Sequence, residues 1–131
     1  MDLYNEIQEL RKELNKKIQE LAGTGCNYAN SYKDYRIKLA KELLRLKAEG
    51  MPVTIAYDIA RGNEDVAEAK FNELSTEAIY KANLESINAI KLQIKILENQ
   101  YQKEWGQGGA YYDWYRVLPN IIFIIYYIFT C

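Results

Sequence analysis

The chain has 131 residues, near the commonest size of a single domain, and 27% of them are charged. Its net charge of −1 creates no global field that would draw it to nucleic acid or to anionic lipid. Histidine is absent, which removes the commonest general base and the usual zinc ligand. We therefore predict that the chain is not an enzyme and holds no cofactor or metal.

Two features favour a cytoplasmic location. The chain has two cysteines, Cys26 and Cys131, which are too few for a disulfide framework. Its first ten residues are charged and helical in pattern, without the apolar centre of a secretory signal.

The first predicted helix begins after Asp2, a plausible N-cap. Apolar residues then recur in steps of three and four at Leu3, Ile7, Leu10, Leu14, Ile18 and Leu21. Gly23 and Gly25 interrupt this seam, and each glycine costs about 1 kcal/mol inside a helix, so a kink or short break is indicated. The seam resumes almost in phase at Tyr28, Tyr32, Tyr35, Leu39, Leu43 and Leu46. One long bent helix is therefore favoured over two separate ones.

Glycine and proline end this helix. Gly50 suits the C′ position and Pro52 follows it. A short helix of about two turns is predicted from near Thr54 to Gly62. Asn63 can cap the next helix.

The third segment, Glu64 to Trp105, contains no glycine or proline. Its predicted apolar seam is Ala67, Phe71, Leu74 and Ala78, followed by Leu84, Ile87, Ile90, Ile94, Leu97 and Tyr101. A helix of this length buries its apolar face only against another long helix, which residues 3–48 supply. The predicted fold is all-α: a long, coiled-coil-like antiparallel helical hairpin with a short connecting helix, forming a domain over residues 1–106. Because two helices make a thin core, a homo-oligomer is expected.

Charge is distributed unevenly between the two long segments. Residues 33–49 carry six basic and three acidic side chains, whereas residues 64–77 carry one basic and five acidic. The two stretches are predicted to face each other across the hairpin.

The composition changes at residues 107–131, which form a glycine-linked aromatic and apolar tail. Three interpretations stay open. The tail packs on the hairpin or pairs as a strand between subunits, because Ile, Phe and Tyr favour strands. Alternatively, residues 117–131 anchor the chain in a membrane, although they fall short of the ~20 residues of a spanning helix. The third interpretation is a fused or frame-shifted extension.

One cluster suggests ligand binding. It combines tyrosines with cations at helical spacing: Tyr28, Tyr32, Lys33, Tyr35, Arg36, Lys38, Lys41 and Arg45. Tyrosine with Arg and Lys can stack on nucleobases and contact phosphates, so a nucleotide, a nucleic acid or an acidic protein is a candidate ligand. In the alternative interpretation the tyrosines continue the seam and the cations face the acidic stretch.

Three motifs carry a family resemblance over about residues 28–106. They are the turn Glu49-Gly50-Met51-Pro52-Val53-Thr54, the turn Ala60-Arg61-Gly62-Asn63 and the terminal Glu104-Trp105-Gly106. The chain resembles small uncharacterised helical proteins of temperate phages and prophages of Gram-positive bacteria. Members tend to end near this Trp-Gly, so residues 107–131 depart from the family pattern.

The resemblance implies a setting in the host bacterial cytoplasm, without a known activity. With the residues above, it favours a protein-interaction module that binds a host or phage factor. A counter-defence inhibitor and a replication accessory both fit. A nucleotide or nucleic-acid binder and a membrane-anchored helical protein are the alternatives.

Overall fold

The computed structural model describes residues 2–105, which form three helices and no strand. Helix α1 spans Leu3–Ala48, α2 spans Val53–Gly62 and α3 spans Glu64–Trp105. The two long helices pack against each other, which confirms the predicted all-α helical hairpin with a short connecting helix. The predicted domain boundary at residue 106 and the three interpretations of the tail, residues 107–131, lie outside the described residues.

Helix α1 begins where the sequence predicts and runs without interruption through both glycines. The carboxylate Oδ1 of Asp2 accepts a hydrogen bond of 3.2 Å from the backbone N–H of Tyr4, so Asp2 caps the helix as expected. Gly23 and Gly25 lie within continuous helix, which confirms the preference for one helix over two. Tertiary packing of an amphipathic face outweighs the low helix propensity of glycine.

Backbone geometry ends α1 sharply. Gly50 has φ +84°, which glycine adopts without steric cost. The N–H of Gly50 donates to the carbonyl of Lys47, and the N–H of Met51 donates to the carbonyl of Leu46, each at 3.1 Å. This pair of bonds is the Schellman motif, with Gly50 at the predicted C′ position.

The predicted cap of the third helix is also present. Asn63 Oδ1 accepts hydrogen bonds from the backbone N–H groups of Asp65, at 3.0 Å, and Val66, at 3.3 Å. These bonds satisfy two donors at the start of α3. Because Asn63 directly follows α2, a single residue separates the short helix from the long one.

The described residues divide into two compact units. Of the described residues, the first unit contains those up to Gly23 and those from Lys81 to Trp105. Its core is formed by Ile7, Leu14, Ile18, Ile87, Ile90 and Ile94, with Leu10, Leu21, Leu97 and Tyr101 packed against them. These are the predicted seam positions of both helices. An ion pair of 2.6 Å between Arg11 and Glu98 flanks this core.

The second unit spans Thr24–Tyr80 and includes all of α2. Leu39, Leu46, Ala56, Ala60 and Val66 form its buried core, with Tyr35, Leu43 and Met51 packed around them. Small residues on α2 let that helix approach closely, since Ala60 is fully buried. The seam predicted for α1 is confirmed here at Leu39 and Leu46.

The seam predicted for the first half of α3 is wrong. Phe71 and Leu74 are 64% and 51% exposed, and Ala67 and Ala78 are exposed as well. The buried positions of this half are Val66, Ala69, Glu73 and Asn83.

Helix periodicity explains the error. A straight helix packed along one partner uses one continuous face, and positions 66, 69 and 73 continue toward Ile87 and Ile90 in steps that keep this phase. The predicted seam needed a step of six residues from Ala78 to Leu84, which turns away from that face.

Candidate interaction surfaces

The three tyrosines of the predicted binding cluster lie in different environments. Tyr28 is half-buried and stacks on Tyr80 with 6.0 Å between ring centroids. Tyr35 is half-buried against the core of the second unit. Tyr32 is exposed. Two of the tyrosines thus serve packing, whereas Tyr32, which was also predicted for the apolar seam, is 48% exposed.

Two cations of the cluster are held by carboxylates of their own helix. Lys38 pairs with Asp34 at 3.0 Å. Arg45 forms two hydrogen bonds to Glu42, of 2.6 and 3.0 Å, and a third of 2.6 Å to Glu49. These bonds hold the pKa of the Glu42 carboxyl below its usual value and raise the pKa of Arg45.

The three remaining cations, Lys33, Arg36 and Lys41, are exposed on α1. Within residues 2–105, no ion pair is recorded for any of them. They are the members of the predicted cluster whose charge is open to a ligand.

The basic stretch of α1 and the acidic stretch of α3, which were predicted to face each other, both contain ion pairs within one helix. Lys38, Arg45 and Lys70 each pair with a carboxylate three or four residues away on the same helix. Lys70 also contacts α1, since its Nζ lies 4.7 Å from the centroid of the Tyr35 ring. Ion pairs between residues three or four positions apart on one helix form easily, because the helix backbone already holds the two side chains close together.

Lys70 also compensates a buried carboxylate. Its Nζ lies 2.7 Å from Oε2 of Glu73, whose side chain is 7% exposed. The hydrogen bond to Glu73 raises the pKa of Lys70. A buried carboxylate is costly without such a partner, so Glu73 depends on Lys70.

An open concavity of about 340 Å³ lies among Tyr35, Arg61 and Lys70, one residue from each helix. The Arg61 guanidinium lies over the Tyr57 ring, 4.9 Å from its centroid. Tyr35 belongs to the predicted cluster, whereas sequence reasoning missed Arg61 and Lys70. The spacing along the chain gave no signal for them, because the fold alone brings α1, α2 and α3 together here.

The exposed apolar side chains concentrate in the second unit. Among residues 2–105, fourteen large hydrophobic residues are exposed, and ten of these belong to residues 24–80: Tyr32, Ile37, Leu44, Val53, Ile55, Tyr57, Ile59, Phe71, Leu74 and Ile79. Single exposed apolar residues are ordinary, whereas several on one face of a helix indicate an interaction surface. We call Ala67, Phe71, Leu74 and Ala78 the α3 stripe.

The described residues supply few groups for other chemistry. Among residues 2–105, no group of three or more metal-ligating side chains comes together. None of the helices in this part of the chain combines the length and the apolar character needed to cross a bilayer.

Fold and surfaces together define an all-α protein with two long packed helices and an apolar surface on its second compact unit. Comparison of the chain with protein-family models, with curated proteins and with solved structures finds no match.

Proposed function

We propose that this chain is a non-enzymatic helical module that binds a protein partner through exposed apolar side chains of its second unit. The α3 stripe carries the proposal, because Phe71 and Leu74 expose more than half of their surface on a helix whose opposite face is already packed. Burial of apolar area is the main driving force of protein association. A few side chains at the centre of an interface usually carry most of the binding energy.

The proposed setting is the one that the phage resemblance implies. The partner would be a host or phage factor in the bacterial cytoplasm, and binding would inhibit a host factor or support replication. A partner helix with an apolar face matches the stripe in shape, since helices recognise one another through seams of this spacing.

The test compares two matched double variants. F71S/L74S removes the apolar side chains of the stripe. L92S/I96S removes two side chains of similar exposure on the first unit. Proteins captured by the tagged full-length chain from infected host cells are identified and then titrated in purified form. We expect F71S/L74S to weaken binding at least tenfold and L92S/I96S to leave it unchanged. Equal binding by all three proteins would contradict the proposal.

A second candidate function, binding of a nucleotide or nucleic acid, is favoured by the exposed cations of α1. Arg36 and Lys41 are exposed, and no ion pair is recorded for them within residues 2–105. Arg61 adds a guanidinium beside the concavity. Phosphate contacts need cations of this kind, which are not already neutralised.

The test for this candidate measures fluorescence anisotropy of a labelled single-stranded oligonucleotide and of a labelled nucleoside triphosphate. R36E/K41E should abolish binding, whereas K38E should have a smaller effect because Lys38 is already paired with Asp34. Absence of binding by the unmodified protein at low salt would exclude this candidate.

A further inference from the structure

The α3 stripe has the spacing of a coiled-coil seam. Its members are separated by four, three and four residues, which places Phe71 and Ala78 at a positions and Ala67 and Leu74 at d positions. All four residues are exposed and lie along one face of α3, about one helical turn apart. A seam this narrow fits one helix and not a broad flat surface.

We infer that the occupant of the stripe is the α3 stripe of a second copy of this chain, in antiparallel orientation. This inference rests on the proposed function, that the stripe binds a protein, and places a second copy of the chain at the stripe instead of a host or phage factor. In an antiparallel pair, each a position meets a d position of the other helix. Phe71 then packs on Leu74 of the partner subunit, and Ala67 packs on Ala78 of the partner subunit. The stripe is self-complementary in size: bulky side chains meet at the centre and alanines meet at both ends.

Charge at the flanks favours the antiparallel orientation. Lys70 and Glu77 occupy the two g positions beside the stripe. Antiparallel pairing brings Lys70 next to Glu77 of the partner subunit, twice by symmetry, whereas parallel pairing brings it next to Ser75 of the partner subunit. The Lys70 side chain is 43% exposed although it pairs with Glu73. Because its ammonium has three donors, it can also bind Glu77 of the partner subunit.

The length of the stripe sets the strength of the association. Stable complexes bury roughly 1,200–2,000 Å² in total, and a seam of four residues per helix falls below that range. We therefore expect a dimer whose population rises with protein concentration across the micromolar range.

The experiment is sedimentation velocity of the full-length chain over a concentration series, with circular dichroism of each variant to check folding. F71E places a charge at the centre of the seam and should give a monomer at every concentration. I96E is the matched control, because Ile96 has similar exposure on the first unit, and it should leave the dimer unchanged. If F71E does not fold, L74S serves in its place.

A charge exchange tests the orientation. E77K places Lys70 beside a second lysine in the antiparallel pair and should weaken dimerisation several-fold. S75K leaves Lys70 in place: it puts a lysine next to Glu68 of the partner subunit in an antiparallel pair and next to Lys70 of the partner subunit in a parallel pair, so it should strengthen dimerisation. Weaker dimerisation of S75K, or an unchanged dimer in E77K, would overturn the antiparallel arrangement.

The outcomes separate this inference from the proposed function. A monomer at all concentrations, or a dimer that persists in F71E, overturns self-pairing. If that monomer binds an identified protein that F71S/L74S no longer binds, the proposed function stands and another protein occupies the stripe. If neither self-association nor partner binding depends on the stripe, both proposals fail.

Discussion

Lys70 joins two helices of the second unit: its Nζ lies 4.7 Å from the centroid of the Tyr35 ring and 2.7 Å from a carboxylate oxygen of Glu73. The same ammonium therefore contacts an aromatic face on α1 and compensates a buried charge on α3. Glu73 occupies a position where a coiled-coil seam would ordinarily hold an apolar residue. Its partner Lys70 lies three residues away on the same helix, so the carboxylate is compensated from within α3.

Replacing the buried carboxylate tests this contact. We expect E73Q to lower the free energy of unfolding by about 1 kcal/mol, because the charged hydrogen bond to Lys70 is lost while one partner stays half-exposed. Urea denaturation followed by circular dichroism measures the change. E68Q, at an exposed position of the same helix, should stay within about 0.5 kcal/mol of the unmodified protein. An equal effect of both substitutions would mean that the Lys70–Glu73 pair contributes no stability.

The turn after α1 predicts a contrast between two glycines. Gly50 has φ +84°, a conformation that costs other residues about 1 kcal/mol or more. G50A should therefore lower the melting temperature by several degrees. Gly62 lies in the last turn of α2 without a positive φ, and an added Cβ there meets no atom within 4 Å. G62A should leave the melting temperature unchanged or raise it. Thermal unfolding of G50A and G62A under the same conditions compares the two melting temperatures.

Core packing in the first unit predicts a second contrast. Leu14 is 7% exposed and belongs to the cluster with Ile87, Ile90 and Ile94. L14A should lower the free energy of unfolding by about 3 kcal/mol, the usual cost of deleting a buried leucine side chain. Leu92 is 58% exposed, and L92A should change stability by less than about 0.5 kcal/mol. Comparable losses in chemical denaturation would mean that α3 packs through a different face.

Acid stability should depend on Glu42. The hydrogen bonds from Arg45 hold the pKa of this carboxyl below its ordinary value of 4.5. A carboxyl whose pKa is lower in the folded state contributes stability that is fully present above the ordinary value and is lost as the pH falls through the folded-state value. E42Q should therefore flatten the fall in stability below pH 4.5. Removal of the donor in R45Q should flatten it similarly. Urea midpoints measured from pH 7 to pH 3 provide the test.

Much of the fold can be predicted from the sequence. Gly50 with Pro52 ends α1, Asn63 caps α3, and the leucine and isoleucine steps of the first unit predict its core correctly. The glycines at 23 and 25 gave a weaker signal, because helix propensity disfavours them while the seam on both sides continues in phase. Local signals of this kind succeed where capping and periodicity agree.

The sequence predicted the candidate surfaces less well than it predicted the helices. The tyrosine and cation cluster was identified by composition, yet only the structure separates Tyr28 and Tyr35, which pack, from Arg36 and Lys41, which are exposed. The concavity that includes Arg61 joins three helices that are distant along the chain, so no local spacing marks it.

The sequence by itself determined that this protein is helical, where its helices begin and end, and which faces of α1 are apolar, because these properties follow from caps, breakers and periodicity within single turns. Only the tertiary structure decided which of two faces on the first half of α3 is buried. Both faces carry apolar residues, and the apolar residues are the larger ones on the face that stays exposed. The buried face is the one in phase with Ile87, Ile90 and Ile94, because a helix packed along one neighbour must present one continuous side to it. Phe71 and Leu74 are left on the surface as a result.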